Sequence, residues 1–241
     1  MKEIKYGELI FEEYDGALTL TRCEGSPREI IIPSEVSGIP LSEIGESAFS
    51  DNGELLSVSF PKGVSFEIGE YAFSGCTALR EISLPEGCTA VLRGAFHSCT
   101  ALRQVSFSEG TYLGAYAFAN CRSLDKISSL SCASEGMLSH CASLRTVSFS
   151  EDLDSIDEDA LEHCEALSEL EIPKNVTRVE ALALRGCKNL RKVTFLDPCG
   201  WVCRSEYRAE DIPLDLSDPE ENARTLSRMD FDDGVIAWIK K

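Results

Sequence analysis

The chain has 241 residues, 43% of them hydrophobic, with 23 Lys and Arg against 41 Asp and Glu, for a net charge of −18. That apolar fraction rules out disorder as a description of the whole chain. The acidity is spread from end to end, so the basic footprint that nucleic acid or an anionic membrane surface requires is missing.

Charges at Lys2, Glu3, Lys5, Glu8, Glu12 and Glu13 leave no signal-peptide core at the start, and no apolar run exceeds five residues, against about 20 for a membrane span. If Met1 is the natural start, a cytoplasmic location is expected; otherwise the location is extracellular or at the cell surface. Residues 1–43 read as an N-terminal cap: a hairpin of Glu8–Glu13 and Ala17–Arg22 around a turn at Asp15-Gly16, leading into an incomplete first coil.

From residue 44 to 196 a pattern I-G-x-x-A-F-x-x-C-x-x-L-x-x-I-x-L recurs seven times. The second segment gives Phe73, Cys76, Leu79, Ile82 and Leu84. The same offsets recover Phe49, Asn52, Leu55, Val58 and Phe60 in the first, and Phe96, Cys99, Leu102, Val105 and Phe107 in the third. Segment four, from Phe118 and Cys121, breaks its strand pattern at Ser129. Leu138, Leu161 and Leu184 take the Phe position in the last three segments, followed by Cys141, Cys164 and Cys187. Successive anchors lie 24, 23, 22, 20, 23 and 23 residues apart. A fixed period of this kind is the signature of a solenoid, because one such coil cannot bury its own apolar face and must stack on neighbours. L-x-x-I-x-L alternates as a short half-buried strand does, and A-F-x-x-C suits one helical turn on the opposite wall. Pro61-Lys62-Gly63, Pro85-Glu86-Gly87 and Pro173-Lys174-Asn175 supply turns after the strands.

The coil, with its A-F-x-x-C-x-x-L-x-x-I-x-I/L-P core, resembles the BspA-type leucine-rich repeats over about residues 16–202. The lead-in Ile30-Ile31-Ile32-Pro33 through Gly38-Ile39-Pro40 and Ile44-Gly45 is similar to the family's entry into its first coil. Val193-Thr194-Phe195 with Gly200-Trp201 is similar to its exit. The resemblance implies a bacterial or protist protein, frequently a surface protein. The chain departs from the pattern in segment five, where Met137-Leu138 replaces Ala-Phe, and in showing no export signal or anchor of its own.

The fold expected is therefore an α/β repeat solenoid. It is a right-handed curved coil with short parallel strands on one face, short helical turns on the other, and non-repeat caps, all one continuous domain. Residues 197–241 form the second cap. Ser217-Asp218-Pro219-Glu220-Glu221 reads as a helix start, the helix runs to about Arg228, and Phe231–Ile239 brings Trp238 back against the last coil.

Six of the eleven cysteines share one repeat position, where a small buried thiol fits an interior turn. A linear ladder gives each thiol two neighbours rather than the three or four converging ligands of a zinc site, and Cys199-x₃-Cys203 lacks a second pair. His140 and His163 share the position before the cysteine and should stack, with Glu162 nearby. That position also holds Asp51, Gly75, Ser98, Asn120 and Gly186, so a plain surface position is the better reading. Ten carboxylates and no Lys or Arg lie between Glu151 and Glu171, but Ile156 stands where a calcium loop needs a ligand, so a solvated acidic face is expected. No phosphate loop, nucleophile elbow or zinc-protease helix motif occurs, and neither catalysis, a cofactor nor a metal is expected.

The strand face carries the binding expectation. Its outward column is Ser59, Ser83, Ser106, Ser128, Ser148, Glu171 and Thr194, and the strand starts carry Arg80, Arg103, Arg145 and Arg191. A basic stripe beside small hydroxyls on a concave face suits a protein or an extended acidic polypeptide, although the better reading of the stripe alone is that duplication copied Arg with the repeat and it balances nearby acids. The expected function is a monomeric, non-catalytic protein-binding scaffold. The alternative is an adhesion module of a surface protein.

Overall fold

A computed structural model describes residues 2–206, 210–228 and 235–241. The chain divides into two compact units, Met1–Leu124 and Asp125–Lys241.

In the first unit, β1 (Lys2–Tyr6), β2 (Leu9–Tyr14) and β3 (Ala17–Cys23) form an antiparallel meander. The coils follow as β4 (Glu29–Ile31), β5 (Glu35–Val36), β6 (Ile39–Ile44), β7 (Ser57–Ser59) and β8 (Phe66–Ile68). They continue as β9 (Glu81–Ser83), β10 (Cys88–Val91), β11 (Gln104–Ser106) and β12 (Tyr112–Leu113). Each coil thus has two strands rather than one. The L-x-x-I-x-L segments pair in parallel as β4 with β7 and β9 with β11. A second wall runs β3-β6-β8-β10-β12, also parallel, and aligns Leu20, Ile44, Ile68, Val91 and Leu113 across successive coils. The Gly45 N–H donates to Leu20 O at 2.8 Å, as Gly69 does to Ile44 O at 2.7 Å one coil later. The hairpin therefore fills the slot of a preceding coil.

The expected helical turns are not formed. A-F-x-x-C runs as consecutive turns, because a left-handed residue stands two places before and two places after each Phe: Ser47 and Asp51, Tyr71 and Gly75, Gly94 and Ser98, Tyr116 and Asn120. An α-helix tolerates no such alternation. The N–H groups that a helix would spend on its own carbonyls point along the stack instead. Those of Ser47, Phe49 and Asp51 reach the carbonyls of Glu70, Ala72 and Ser74 at 2.9, 2.8 and 2.7 Å. Among the described residues the one α-helix lies outside the repeats, so the repeat region is a β-solenoid and not α/β.

Inside the first unit Phe49, Phe73, Phe96 and Phe118 stack face to face, with centroids 4.9, 5.2 and 5.5 Å apart and planes within 7°. All four are buried. Each such pair is worth about 0.5–1.5 kcal/mol beyond its buried area.

In the second unit β13 (Lys126–Leu130) pairs in parallel with β14 (Thr146–Phe149), β15 (Ser155–Ile156) with β17 (Arg178–Glu180), and β16 (Glu169–Ile172) with β18 (Lys192–Phe195). The left-handed pairs recur at Gly136 and His140, Asp159 and His163, and Leu182 and Gly186. The cap consists of β19 (Trp201–Ser205), β20 (Ile212–Pro213), α1 (Pro219–Leu226) and β21 (Val235–Lys240). β21 lies antiparallel on β17, with Trp238 opposite Val179, and closes the second wall. Trp238 is buried, 6.1 Å from Phe195. Phe231, where the sequence starts this returning segment, lies outside the described residues. Asp218 caps α1, its carboxylate accepting from the N–H groups of Glu220 and Glu221, and Pro219 occupies the first turn.

Candidate binding face

The cysteine position ties successive coils together in register. Five of the six laddered thiols donate to the carbonyl of the Phe-position residue one coil earlier. In the first unit Cys76 bonds Phe49, Cys99 bonds Phe73 and Cys121 bonds Phe96, at 3.3, 3.2 and 3.3 Å. In the second unit Cys164 and Cys187 do the same to Leu138 and Leu161 at 3.3 and 3.2 Å. Asn52 is the polar equivalent, its Nδ2 donating to Pro27 O at 3.0 Å. Burial pushes the Cys76 and Cys187 thiols up to about 12, and Cys99 and Cys164 well above their ordinary value. These groups are structural. None of the described cysteines is in a disulfide.

On the strand face of the first unit, Arg80 and Arg103 occupy adjacent coils, with the Arg103 N–H donating to Arg80 O at 2.8 Å. Both side chains are exposed, and neither has an ion-pair partner among the described residues. Beside them Ser106 Oγ donates to Ser83 Oγ at 3.1 Å, so the two hydroxyls form a flat, small-residue strip.

In the second unit the stripe is diluted. The Arg145 N–H bonds Asp125 O at 2.9 Å, and its guanidinium pairs with the Asp125 carboxylate at 3.6 Å. The Arg191 N–H bonds Ser168 O at 2.8 Å, so Asp125 and Ser168 interrupt the arginine column that the sequence pattern implied. The hydroxyl column is also irregular. Ile127 opposes Val147 and Leu130 opposes Phe149, so Ser128 and Ser129 together face Ser148, and it is Ser129 N–H that bonds Ser148 Oγ at 3.3 Å. This bulge arises because Ser129 is left-handed, with φ 59°. Thr194 is half-buried opposite Glu171.

The turn wall of the second unit carries a charged cluster that the sequence reading placed only in part. His140 and His163 stack, centroids 4.8 Å apart. Between them and Arg185 sits buried Glu162, its carboxylate 3.7 Å from His140 Nε2, 3.8 Å from His163 Nε2 and 2.8 Å from Arg185 Nε. Arg185 stands 23 residues after Glu162, one coil along, so a scan for opposite charges at the repeat period would have found it. Asp159 lies in the same wall. Burial, with the carboxylates of Glu162 and Glu158, pushes its carboxyl up to about 6. Among the described residues no group of three or more His, Cys, Asp or Glu is arranged to hold a metal ion. No helix among them is long and apolar enough to cross a membrane.

Comparison with known proteins agrees with this architecture. No curated protein matches. Among solved structures, a leucine rich cell surface protein from Faecalibacterium prausnitzii superposes with a TM-score of 0.72 at 27% identity, covering 88% of this chain and 60% of its own. The chain thus spans about 60% of the length of that relative. A leucine rich repeat protein of T. pallidum gives a TM-score of 0.58 at 26% identity, covering 80% of this chain and 82% of its own. The pneumococcal vaccine antigen PcpA, at 17% identity, TM-score 0.54 and coverage of 83% and 51%, shares the fold. The BspA type leucine rich repeat region, in 6 copies, matches residues 24–134 and 110–202, and the chain belongs to that family.

Proposed function

We propose that the chain is a non-catalytic scaffold whose strand face engages an extended acidic stretch of a protein partner. The observation that supports this most directly is the Arg80–Arg103 pair. In a chain of net charge −18, two neighbouring guanidiniums stand exposed with no carboxylate partner among the described residues, beside the Ser83–Ser106 strip. Guanidinium forks spaced by one coil, about 4.8 Å, suit successive carboxylates of an extended chain. In the second unit, taken by itself, we read Ser128, Arg145, Ser148, Arg191 and Thr194 as a strand face of the same kind.

The test is a panel of extended acidic peptides against the chain and its Arg80→Glu/Arg103→Glu variant. The reversal should weaken capture at least about tenfold, mainly through a salt-sensitive association rate. It should leave thermal stability nearly unchanged, since exposed charges contribute about 0–1 kcal/mol each. Peptide binding that survives the reversal overturns the assignment.

A second reading, adhesion at a bacterial surface, draws on the Faecalibacterium relative described as a cell surface protein. The buried ladder thiols do not argue against it, because burial raises the Cys76 and Cys187 thiols and disfavours the thiolate that oxidation needs. Protease treatment of intact source cells tests it: a surface protein is degraded, an internal one is not.

A further inference from the structure

The end of the second unit holds a feature that the repeat pattern does not account for. Where a further coil would stack, α1 takes its place, and Gly186 N–H, which in earlier coils would meet the next turn, donates to Ser227 O at 3.1 Å. Buried Asn222 fixes the helix, its Nδ2 donating to Val193 O at 3.1 Å and Leu216 O at 3.0 Å. A helix is a poor copy of a coil, and a cleft of about 550 Å³ remains between it and the last coil. Lys188 and Arg191 line the coil side, and Arg224 and Arg228 the helix side, with Glu220 the one acid on the walls among the described residues.

Four of the chain's 23 Lys and Arg therefore converge on one cleft of a strongly acidic molecule. Lys188 pairs with Glu165 at 2.5 Å and Arg224 with Glu221, both outside the lining. Arg191 and Arg228 have no ion pair among the described residues. The guanidiniums of Arg191 and Arg228, carried by two anchored elements on one cleft, repel unless an anion joins them, and the cleft's size falls within the range of small-molecule sites, about 300–1,000 Å³.

We infer that this cleft binds a small multivalent oxyanion carrying phosphate or carboxylate groups. Arg191 on the coil and Arg228 after the helix supply forks from opposite sides, while Lys188 and Arg224 add charge. The cleft shares Arg191 with the strand-face reading of the second unit, but neither Arg80 nor Arg103 lines it.

Calorimetric titration of the full chain at about 150 mM NaCl, with pyrophosphate in one arm and citrate in the other, tests the inference. Saturable one-to-one binding of either probe supports it, and the tighter arm names the ligand chemistry. Arg191→Gln/Arg228→Gln should weaken that binding at least about tenfold. Glu220→Gln, which removes the opposing carboxylate and leaves the arginines in place, should tighten it about two- to fivefold, so the inference does not rest on loss alone. Arg80→Glu/Arg103→Glu should leave it unchanged. Absence of saturable heat with both probes overturns the site. So does binding indifferent to the Arg191/Arg228 change, or binding lost equally in the Arg80/Arg103 variant. Sulfate binding as tightly as the better probe would reduce the cleft to a diffuse positive field and overturn it too.

Discussion

Asp159 keeps Oδ1 buried with no hydrogen-bond partner among the described residues, on a wall that already holds the Glu162 carboxylate. Its folded carboxyl titrates at about 6, above the 3.8 of a free aspartate. Between those values the folded chain holds a proton that the unfolded chain has lost, so this group's contribution to stability falls as pH rises through that window. Asp159→Asn removes the penalty and retains a side chain suited to the left-handed backbone at φ 56°. The variant's melting temperature should match the parent's near pH 4 and exceed it progressively up to pH 7. Parallel melting curves of the two proteins across that range would contradict the assignment. The thiols give a second test at this scale. Exposed Cys199 should react first with a thiol reagent, the six ladder cysteines should stay silent in the native chain, and all eleven should react in denaturant without reductant. A shortfall in denaturant would mean disulfides.

For single elements, the turn wall is the informative case. Gly94 sits at φ +61°, and a Cβ there would lie 2.4 Å from the Tyr71 ring of the previous coil. Gly94→Ala should therefore destabilise by about 1–3 kcal/mol, combining left-handed strain with a clash. Adding Tyr71→Ser should recover the steric part and leave the strain, which circular dichroism melts can apportion. The same wall shows where sequence reading succeeds and stops. Phe73, Cys76 and Leu79 announce their period because identical positions must stack, and the interior ladders follow from that alone. Apolar residues at i, i+1 and i+4 fit a helical turn and a run of β-turns equally well, and only the left-handed residues separate the two. Ten of the fourteen are not glycine, Tyr71, Asp159 and Leu182 among them, so composition gives no warning. β8, β10 and β12 were invisible for a different reason: two to four residues are too few to show a period of two. Arg80, Ser83, Arg103 and Ser106 meet as their spacing implies. The bulge at Ser129 and the convergence of Arg224 and Arg228 on Lys188 depend on tertiary placement, which no local pattern encodes.

At the scale of the molecule, the caps decide whether the stack stays separate from its copies. In the second unit Ala181 N–H donates to Ile236 O at 2.7 Å and Gly186 N–H to Ser227 O, so β21 and α1 cover edges that would otherwise recruit another chain. A chain ending at Leu196 exposes β17 and β18 and should self-associate in size-exclusion chromatography with light scattering, whereas the full chain should elute as a monomer. A monomeric truncated chain with unchanged circular dichroism would show that the cap is dispensable.

The thiol-to-carbonyl bonds have an evolutionary corollary. Cys76 reaches back to Phe49, and Cys99 reaches back to Phe73, through the same atoms at nearly the same distance. Copying the 23 residues from Thr77 to Cys99 and inserting the copy after Cys99 would present each junction with the neighbour it already has: a Phe ring to stack on, a carbonyl to accept the thiol, a turn to receive the N–H groups. No contact would need to be invented. The number of coils is thus a quantity that unequal recombination can change in whole steps, lengthening or shortening the face available to a partner without redesigning the interior.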